Sequence, residues 1–168
     1  MGKPERKSMI FTTPTTHFFT CGSSEGPTRP NAFDGALLTA GLGNVSLVRT
    51  GSILAPENRL VERHPLPPGA LVPAACAAIT SDLPGEVISA GVAIAYPAEG
   101  DQAAVVMEYS APGHKEDVEG IVRRMAEEAL RMRDLEIREI RSISVQHRVR
   151  KIGTALAAVV LWDEESMG

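Results

Sequence analysis

Ala70-Leu-Val-Pro-Ala-Ala-Cys-Ala-Ala-Ile-Thr80 and Val87-Ile-Ser-Ala-Gly-Val-Ala-Ile-Ala-Tyr96, joined by Ser81-Asp-Leu-Pro-Gly85, decide how this chain folds. Both runs are long, apolar and rich in alanine, and the joining piece is a strong turn signal. Strands with small side chains on both faces are expected to be buried from two sides and closely packed. Gln102–Ser110 reads as a third strand, and the nearly all-apolar Thr154–Trp162 as a buried strand that ends the fold. Ile137–Val149 alternates instead. Ile143, Val145, His147 and Val149 share one side and Ser142, Ser144, Gln146 and Arg148 the other, which is the pattern of a half-exposed strand. His147 there reads as a packed or edge histidine rather than a ligand.

Two helices accompany these strands. His114–Arg133 places Val118, Ile121, Val122, Met125, Ala129 and Met132 at helical spacing, opposite Glu, Asp and Arg. Glu119–Arg123 and Glu127–Arg131 are i,i+4 pairs in the favourable order, read as a solvated face. Gly120 costs this helix up to ~1 kcal/mol and invites a close backbone contact. Earlier, Asp34 suits a helix start, Gly35–Ala40 supplies helix formers, and Gly41 can stop the helix in the left-handed conformation. Asp34 has two readings: a helix cap, or a carboxylate offered to a guanidinium through two parallel hydrogen bonds.

Residues 1–8 read as a loose tail without the apolar segment of a secretory signal. A first strand is expected near Lys7–Phe11 or His17–Cys21, with Pro14 interrupting it. Cys21–Arg29 reads as a loop that lacks the Gly-Lys-Ser/Thr end of a phosphate cradle. Ser23-Ser24 is set aside as a self-processing candidate because no strand is expected to lead into it. Glu57–Gly69 is a polar, proline-rich connector.

The 168 residues fit one domain, 1–168, large enough to bury a sizeable core. A net charge of −4 with 4% aromatics lacks both the cationic footprint and the stacking platforms of a nucleic-acid binder. No apolar run is long and uncharged enough to predict a membrane span. Cys21 and Cys76 read as reduced thiols of a cytoplasmic protein, and the four histidines show no metal-ligand spacing. Periodicity therefore predicts an α+β domain with mostly antiparallel strands and two helices.

Chemistry enters at Asn44-Val-Ser-Leu-Val-Arg-Thr-Gly-Ser-Ile-Leu-Ala-Pro56, where β-formers run into Gly51-Ser52. Glycine inside a strand marks a bulge, a kink or a close approach. The Ser52 hydroxyl is within reach of the Gly51 carbonyl carbon, and a peptide held out of plane, at about 1 kcal/mol for a ~12° twist, invites attack. The ester so formed can eliminate to dehydroalanine, and hydrolysis then leaves a pyruvoyl group in place of Ser52. Gly-Ser pairs are also common in plain turns.

Around it stand Gly22-Ser-Ser-Glu-Gly26, Asn31-Ala-Phe-Asp-Gly-Ala-Leu-Leu38, Gly43-Asn-Val45 and Thr50-Gly-Ser-Ile53. Further on come Gly69-Ala-Leu-Val-Pro73, Ser81-Asp-Leu-Pro-Gly-Glu86 and Val106-Met-Glu-Tyr109. In this order and spacing, from about Phe18 to Trp162, they resemble the pyruvoyl-dependent arginine decarboxylases. The resemblance implies a four-layer αββα sandwich, self-cleaved between Gly51 and Ser52 into chains 1–51 and 52–168. It further implies a trimer or dimer of trimers with sites between subunits, and conversion of L-arginine to agmatine and CO2.

Decarboxylation leaves charge on the α-carbon, and a carbonyl that forms an imine with the substrate amine can absorb it. The Ser52-derived pyruvoyl group would be that cofactor, with no metal. Glu108 matches the family's proton donor; following Ala103-Ala-Val-Val-Met107, it would be delivered by a buried strand that raises its pKa, or else is a strand-end glutamate facing water. The implied substrate contacts are Asp34, Leu37, Gly43, Val45 and Ile53. Ser46 stands where relatives carry asparagine six residues before the pyruvoyl serine, and it cannot offer an amide's donor and acceptor together. Asn44, two residues away, is expected on the same strand face. Gly51 replaces a serine found in some relatives and should ease attack sterically. Two alternatives stand beside this reading: decarboxylation of another basic amino acid, and an oligomeric relative that no longer cleaves itself.

Overall fold

The protein is described here by a computed structural model covering residues 12–51 and 53–164. Eleven elements run in the order β1 (Thr16–Glu25), α1 (Arg29–Thr39), β2 (Ser46–Arg49), β3 (Ile53–Leu54), β4 (Arg59–Leu60), β5 (Leu71–Ser81), β6 (Val87–Pro97), β7 (Ala104–Pro112), α2 (Lys115–Arg131), β8 (Ile137–Arg148) and β9 (Gly153–Trp162). They form a first sheet of order β2-β5-β9-β1-β4 and a second of order β3-β7-β6-β8. Only β1–β4 and β2–β5 pair in parallel. The predicted turn at Ser81–Gly85 is therefore no hairpin, because it carries the chain from β5 in one sheet to β6 in the other.

The alternation of small side chains explains the layering. Ala155, Ala157 and Val159 of β9, with Ala75 and Ala77 of β5 beside them, face Ala90, Val92 and Ile94 of β6 across the space between the sheets. The intervening Leu156, Ala158 and Val160 meet α1 through Ala36 and Ala40. On the far side, Ala93 and Ala95 of β6 receive Val122, Ala126 and Leu130 of α2. The result is α1, first sheet, second sheet, α2: the four layers that the resemblance implied. Truncating fully buried Ile94 to alanine should cost about 2–5 kcal/mol.

Several local expectations change. Cys21–Arg29 is not all loop: β1 continues to Glu25, its whole length laddered to β9, so Ser23 and Ser24 are strand residues opposite Ala155 and Thr154. The small residue at Gly22 makes this possible, since a Cβ there would lie 2.3 Å from the Thr39 hydroxyl and 2.4 Å from the Ala36 carbonyl of α1. The helix starts at Arg29 rather than Asp34, with Thr28 as cap (its hydroxyl accepts the Asn31 N–H at 3.3 Å) and Pro30 in the first turn. It ends as expected: Gly41 has φ +79°, and Gly41 and Leu42 donate to Leu38 and Leu37 in a Schellman arrangement. The alternative Lys7–Phe11 strand lies outside the described residues, while the His17–Cys21 reading falls within β1.

In α2, Val118, Val122 and Ala129 are buried as expected, but Ile121 and Met125 are half-buried and Met132 is 76% exposed. The apolar stripe is wider than the sheet beneath it. Glu127–Arg131 pairs, whereas Glu119 instead accepts hydrogen bonds from Ser142 and Ser144, and Arg123 donates to Ser142 and the Ile140 carbonyl. Those two side chains dock α2 on β8 rather than each other. A Cβ at Gly120 would meet nothing within 4 Å, so the expected close contact is absent among the described residues.

The expected central strand of Asn44–Pro56 divides between the sheets. β2 and β4 sit at opposite edges of the first sheet, and β3 between them belongs to the second. From Arg49 to Arg59 the chain crosses four strand spacings, about 19 Å, with a detour to a sheet about 10 Å away. Ten extended residues reach at most about 33–36 Å. This segment is a strap with little slack, and it carries Gly51 and Ser52.

Candidate active site

The strap is fixed on both sides of its middle. Before it, β2 stops at Arg49 and the Thr50 N–H donates to the Ala74 carbonyl at 3.1 Å. After it, Ile53 and Leu54 pair with Val105 and Ala104 of β7, and Leu54 is 3% exposed in the core between the sheets. Past Ala74, β5 runs on to Ser81 without β2 beside it, leaving the Cys76 amide on an open edge. Ser52 itself lies outside the described residues.

Glu108 stands on the inner face of β7, the face of Ala104 and Val106, three residues past the partner of Ile53. Its side chain keeps solvent access in the single chain. Burial pushes its carboxyl up, and the Cys76 amide and the Arg49 guanidinium pull it back only partly, so its pKa stays above the ordinary carboxylate value. Arg49, before the Gly51–Ser52 junction, thus acts on the Glu108 carboxyl, and Ile53, after it, pairs with the strand that carries Glu108; burial there moves the carboxyl toward its protonated form.

The other predicted groups are arranged less simply. Gly51 is exposed, and a Cβ there would meet nothing within 4 Å. Asn44 is in the turn before β2, not on the strand, and its carbonyl accepts the Gly69 N–H at 2.7 Å. The pleat that would set it on the Ser46 face does not extend that far. Ser46 opens β2 opposite Leu71, five residues before Cys76 on β5, about 16 Å back along the strand. Within one chain, Ser46 and Glu108 therefore stand apart.

A second group gathers at the end of α1. Gly43, Asn44 and Val45 line a cavity of about 450 Å³ with Leu38, Gly41, Arg63, His64, Pro65 and Leu66. Leu37 packs into the adjoining core. Asp34 is exposed, in mid-helix, and has no hydrogen-bond or ion-pair partner among the described residues. Its capping role is excluded by Thr28, so the position leaves its carboxylate free for another ion. Ile53 is 51% exposed and lines neither this cavity nor the strap's core contact.

Sequence reading passed over Arg49 and the Cys76 amide. Their role follows from β2 being only four residues long, which frees the β5 edge, and nothing in a run of β-formers announces that length. Arg63 was also passed over. It donates to the Thr39 carbonyl at 3.1 Å and lies beneath Gly41, stabilising the negative end of α1. Among the described residues no three His, Cys, Asp or Glu side chains gather to hold a metal, and no helix is long and apolar enough to cross a membrane.

The family described as pyruvoyl-dependent arginine decarboxylase (PvlArgDC) matches residues 16–166. The chain is 48% identical over 152 residues to the pyruvoyl-dependent arginine decarboxylase of Methanocaldococcus jannaschii, covering 90% of this chain and 92% of that one. It is 38% identical over 156 residues to the protein of that name from Thermococcus kodakarensis and 37% identical over 157 to that from Pyrococcus furiosus, in each case covering 92% of this chain and 99% of the relative. The chain belongs to the pyruvoyl-dependent arginine decarboxylase family.

Proposed function

We propose that this protein decarboxylates L-arginine to agmatine and CO2 at a pyruvoyl group formed from Ser52. The observation that carries the reading is the setting of Glu108: its carboxyl is pushed toward the protonated form on the strand that pairs with Ile53, and Arg49, at the other end of the glycine–serine stretch, acts on it. Open space about Gly51 and this acid fit a carbonyl-bearing group at position 52.

Maturation begins with the Ser52 oxygen attacking the Gly51 carbonyl carbon as the peptide C–N bond breaks. β-Elimination of the ester frees Gly51 as a carboxylate and leaves dehydroalanine at the new terminus. One water then hydrolyses its imine tautomer, ammonia departs, and chains 1–51 and 52–168 result. The pyruvoyl carbonyl, once formed, supplies the electron sink that decarboxylation needs.

The remaining work falls to ordinary side chains. Glu108 returns a proton to the substrate carbon, Arg49 limits how far its pKa rises, and Asp34 takes the substrate guanidinium through charge-assisted hydrogen bonds. Ile53, Leu37, Gly43 and Val45 line the path of the arginine side chain, and Ser46 with Asn44 supply polar contacts near the cleavage site. Since Glu108 and Ser46 stand apart in one chain, the site is completed between subunits of a trimer or dimer of trimers. The two free thiols, Cys21 and Cys76, suit the reducing cytoplasm.

Purified protein given L-arginine should release CO2 and agmatine, and Ser52→Ala, which lacks the attacking oxygen, should release neither. Lysine turnover exceeding arginine turnover would move the substrate assignment, and a wild-type protein inert toward both would refute the activity.

A further inference from the structure

The strap's far anchor is built from a fully buried histidine that neither maturation nor turnover uses. His17 on β1 is 0% exposed. Its Nδ1 lies 2.6 Å from the Asn58 Oδ1 and its Nε2 2.7 Å from the Tyr96 hydroxyl. The Asn58 amide nitrogen donates to the Pro14 carbonyl at 3.0 Å, which fixes Oδ1 as acceptor. His17 therefore donates from Nδ1 and accepts the Tyr96 O–H at Nε2, a tautomer assigned from this network.

Backbone bonds reinforce the same point. Arg59 donates to the Thr15 carbonyl at 2.9 Å and Val61 to the His17 carbonyl at 2.8 Å, so the strap's end becomes β4 on β1. The three side chains come from β1, the strap and β6, and they join both sheets to the strap at once. An ordinary core contact would need no buried polar groups here, and buried polar groups carry a cost unless all are matched.

We propose that His17, Asn58 and Tyr96 are positioning residues for the Gly51–Ser52 bond: they pin the strap six residues downstream and thereby hold the bond in the geometry that lets Ser52 attack. The inference rests on the proposed self-cleavage. Between Asn58 and residue 52 stand only the Ala55–Asn58 turn and the two-residue β3, so the clamp at Asn58 backs up the Ile53–Leu54 pairing with β7 that fixes the chain next to the bond. In the cleaved protein the same clamp ties the start of chain 52–168 to β1 and β6.

The test follows fragment formation by intact mass in freshly made wild type, Asn58→Ala, Tyr96→Phe and Val122→Ala. The last truncates the core under α2, on the opposite face of the second sheet from the Tyr96 side chain, and serves as a control for lost stability. Asn58→Ala, which severs the strap from both His17 and Pro14, should slow cleavage about tenfold or more, and Tyr96→Phe, which removes one bond and keeps the ring, about two- to tenfold. Val122→Ala should cleave at the wild-type rate despite a lower Tm. In the cleaved fraction of Asn58→Ala, kcat should fall with KM for arginine unchanged. Wild-type cleavage rates in both Asn58→Ala and Tyr96→Phe would overturn the clamp alone, as would an equal slowing in Val122→Ala. A wild-type chain that stays whole would instead overturn the self-cleavage on which it rests.

Discussion

His17 Nε2 and the Tyr96 hydroxyl, 2.7 Å apart, form a buried hydrogen bond between β1 of one sheet and β6 of the other. Burial holds the His17 pKa below 6.5, against the raising effect of Asn58, and pushes Tyr96 up to about 12, so both are neutral across the physiological range. Removing the hydroxyl in Tyr96→Phe leaves the His17 nitrogen unsatisfied and should cost about 1–3 kcal/mol, read from denaturant midpoints. An unchanged midpoint would show that the bond is not formed in solution.

The same pair sets a pH dependence. A histidine whose folded pKa is depressed binds more protons unfolded, so stability falls as pH drops below about 6.5 toward the folded value. Asn58 and Tyr96 face the ring, with Arg138 stacked 5.5 Å from the tyrosine centroid, and among the described residues no carboxylate hydrogen-bonds to it to stabilise the charged form. Replacing His17 with Gln should flatten the pH 5–6.5 limb of a Tm-versus-pH curve, and a retained slope would assign it to another group.

Glu25 governs a more acidic window. Its carboxylate accepts from His147 at 2.6 Å and from the Lys151 and Arg150 amides at 2.7 and 3.2 Å, tying the end of β1 to the β8–β9 turn. Burial raises its pKa, but these partners outweigh that and hold it below 4.5. The stability it contributes is present above 4.5 and lost as pH falls through the folded value. Glu25→Gln should lower Tm at pH 7 and converge with wild type in acid; a gap that persists at low pH would contradict this.

How far this could be read in advance depended on the range of the interaction. Alternating Ile143, Val145 and Val149 and the alanine-rich β5, β6 and β9 declared their faces locally, and so did Gly41 as a helix stop. Thr28 was missed as a cap because Asp34 carried a similar local signal, and only the ladder of β1 on β9 shows that the helix begins earlier. Residues 44–56 read as one strand because nothing local records that β2 and β3 belong to different sheets. The place of Glu108 on β7 was legible from its apolar lead-in and its proposed role only through the resemblance, while Arg49 and the Cys76 amide depend on where β2 ends.

Glu108→Gln separates maturation from turnover. Glutamine keeps the volume and hydrogen bonding, so the chain should fold and still cleave, while kcat falls by about 10²–10⁴, the usual contribution of a positioned general acid. An uncleaved variant would place Glu108 in maturation, and near-normal turnover would remove it from the mechanism in favour of Tyr109 or water.

Asp34→Asn tests the guanidinium contact. The residue caps no helix, so the substitution should leave Tm nearly unchanged while kcat/KM for arginine drops roughly a hundredfold. Unchanged arginine turnover would contradict the assignment.

If the strap cuts itself between Gly51 and Ser52, intact mass spectrometry of freshly purified wild-type protein reads the cut without any variant or substrate. Two species are expected, residues 1–51 and 52–168, the larger lighter by one ammonia than simple hydrolysis would give. A single full-length mass that persists through prolonged warm incubation would contradict it and leave a folded relative that does not process itself.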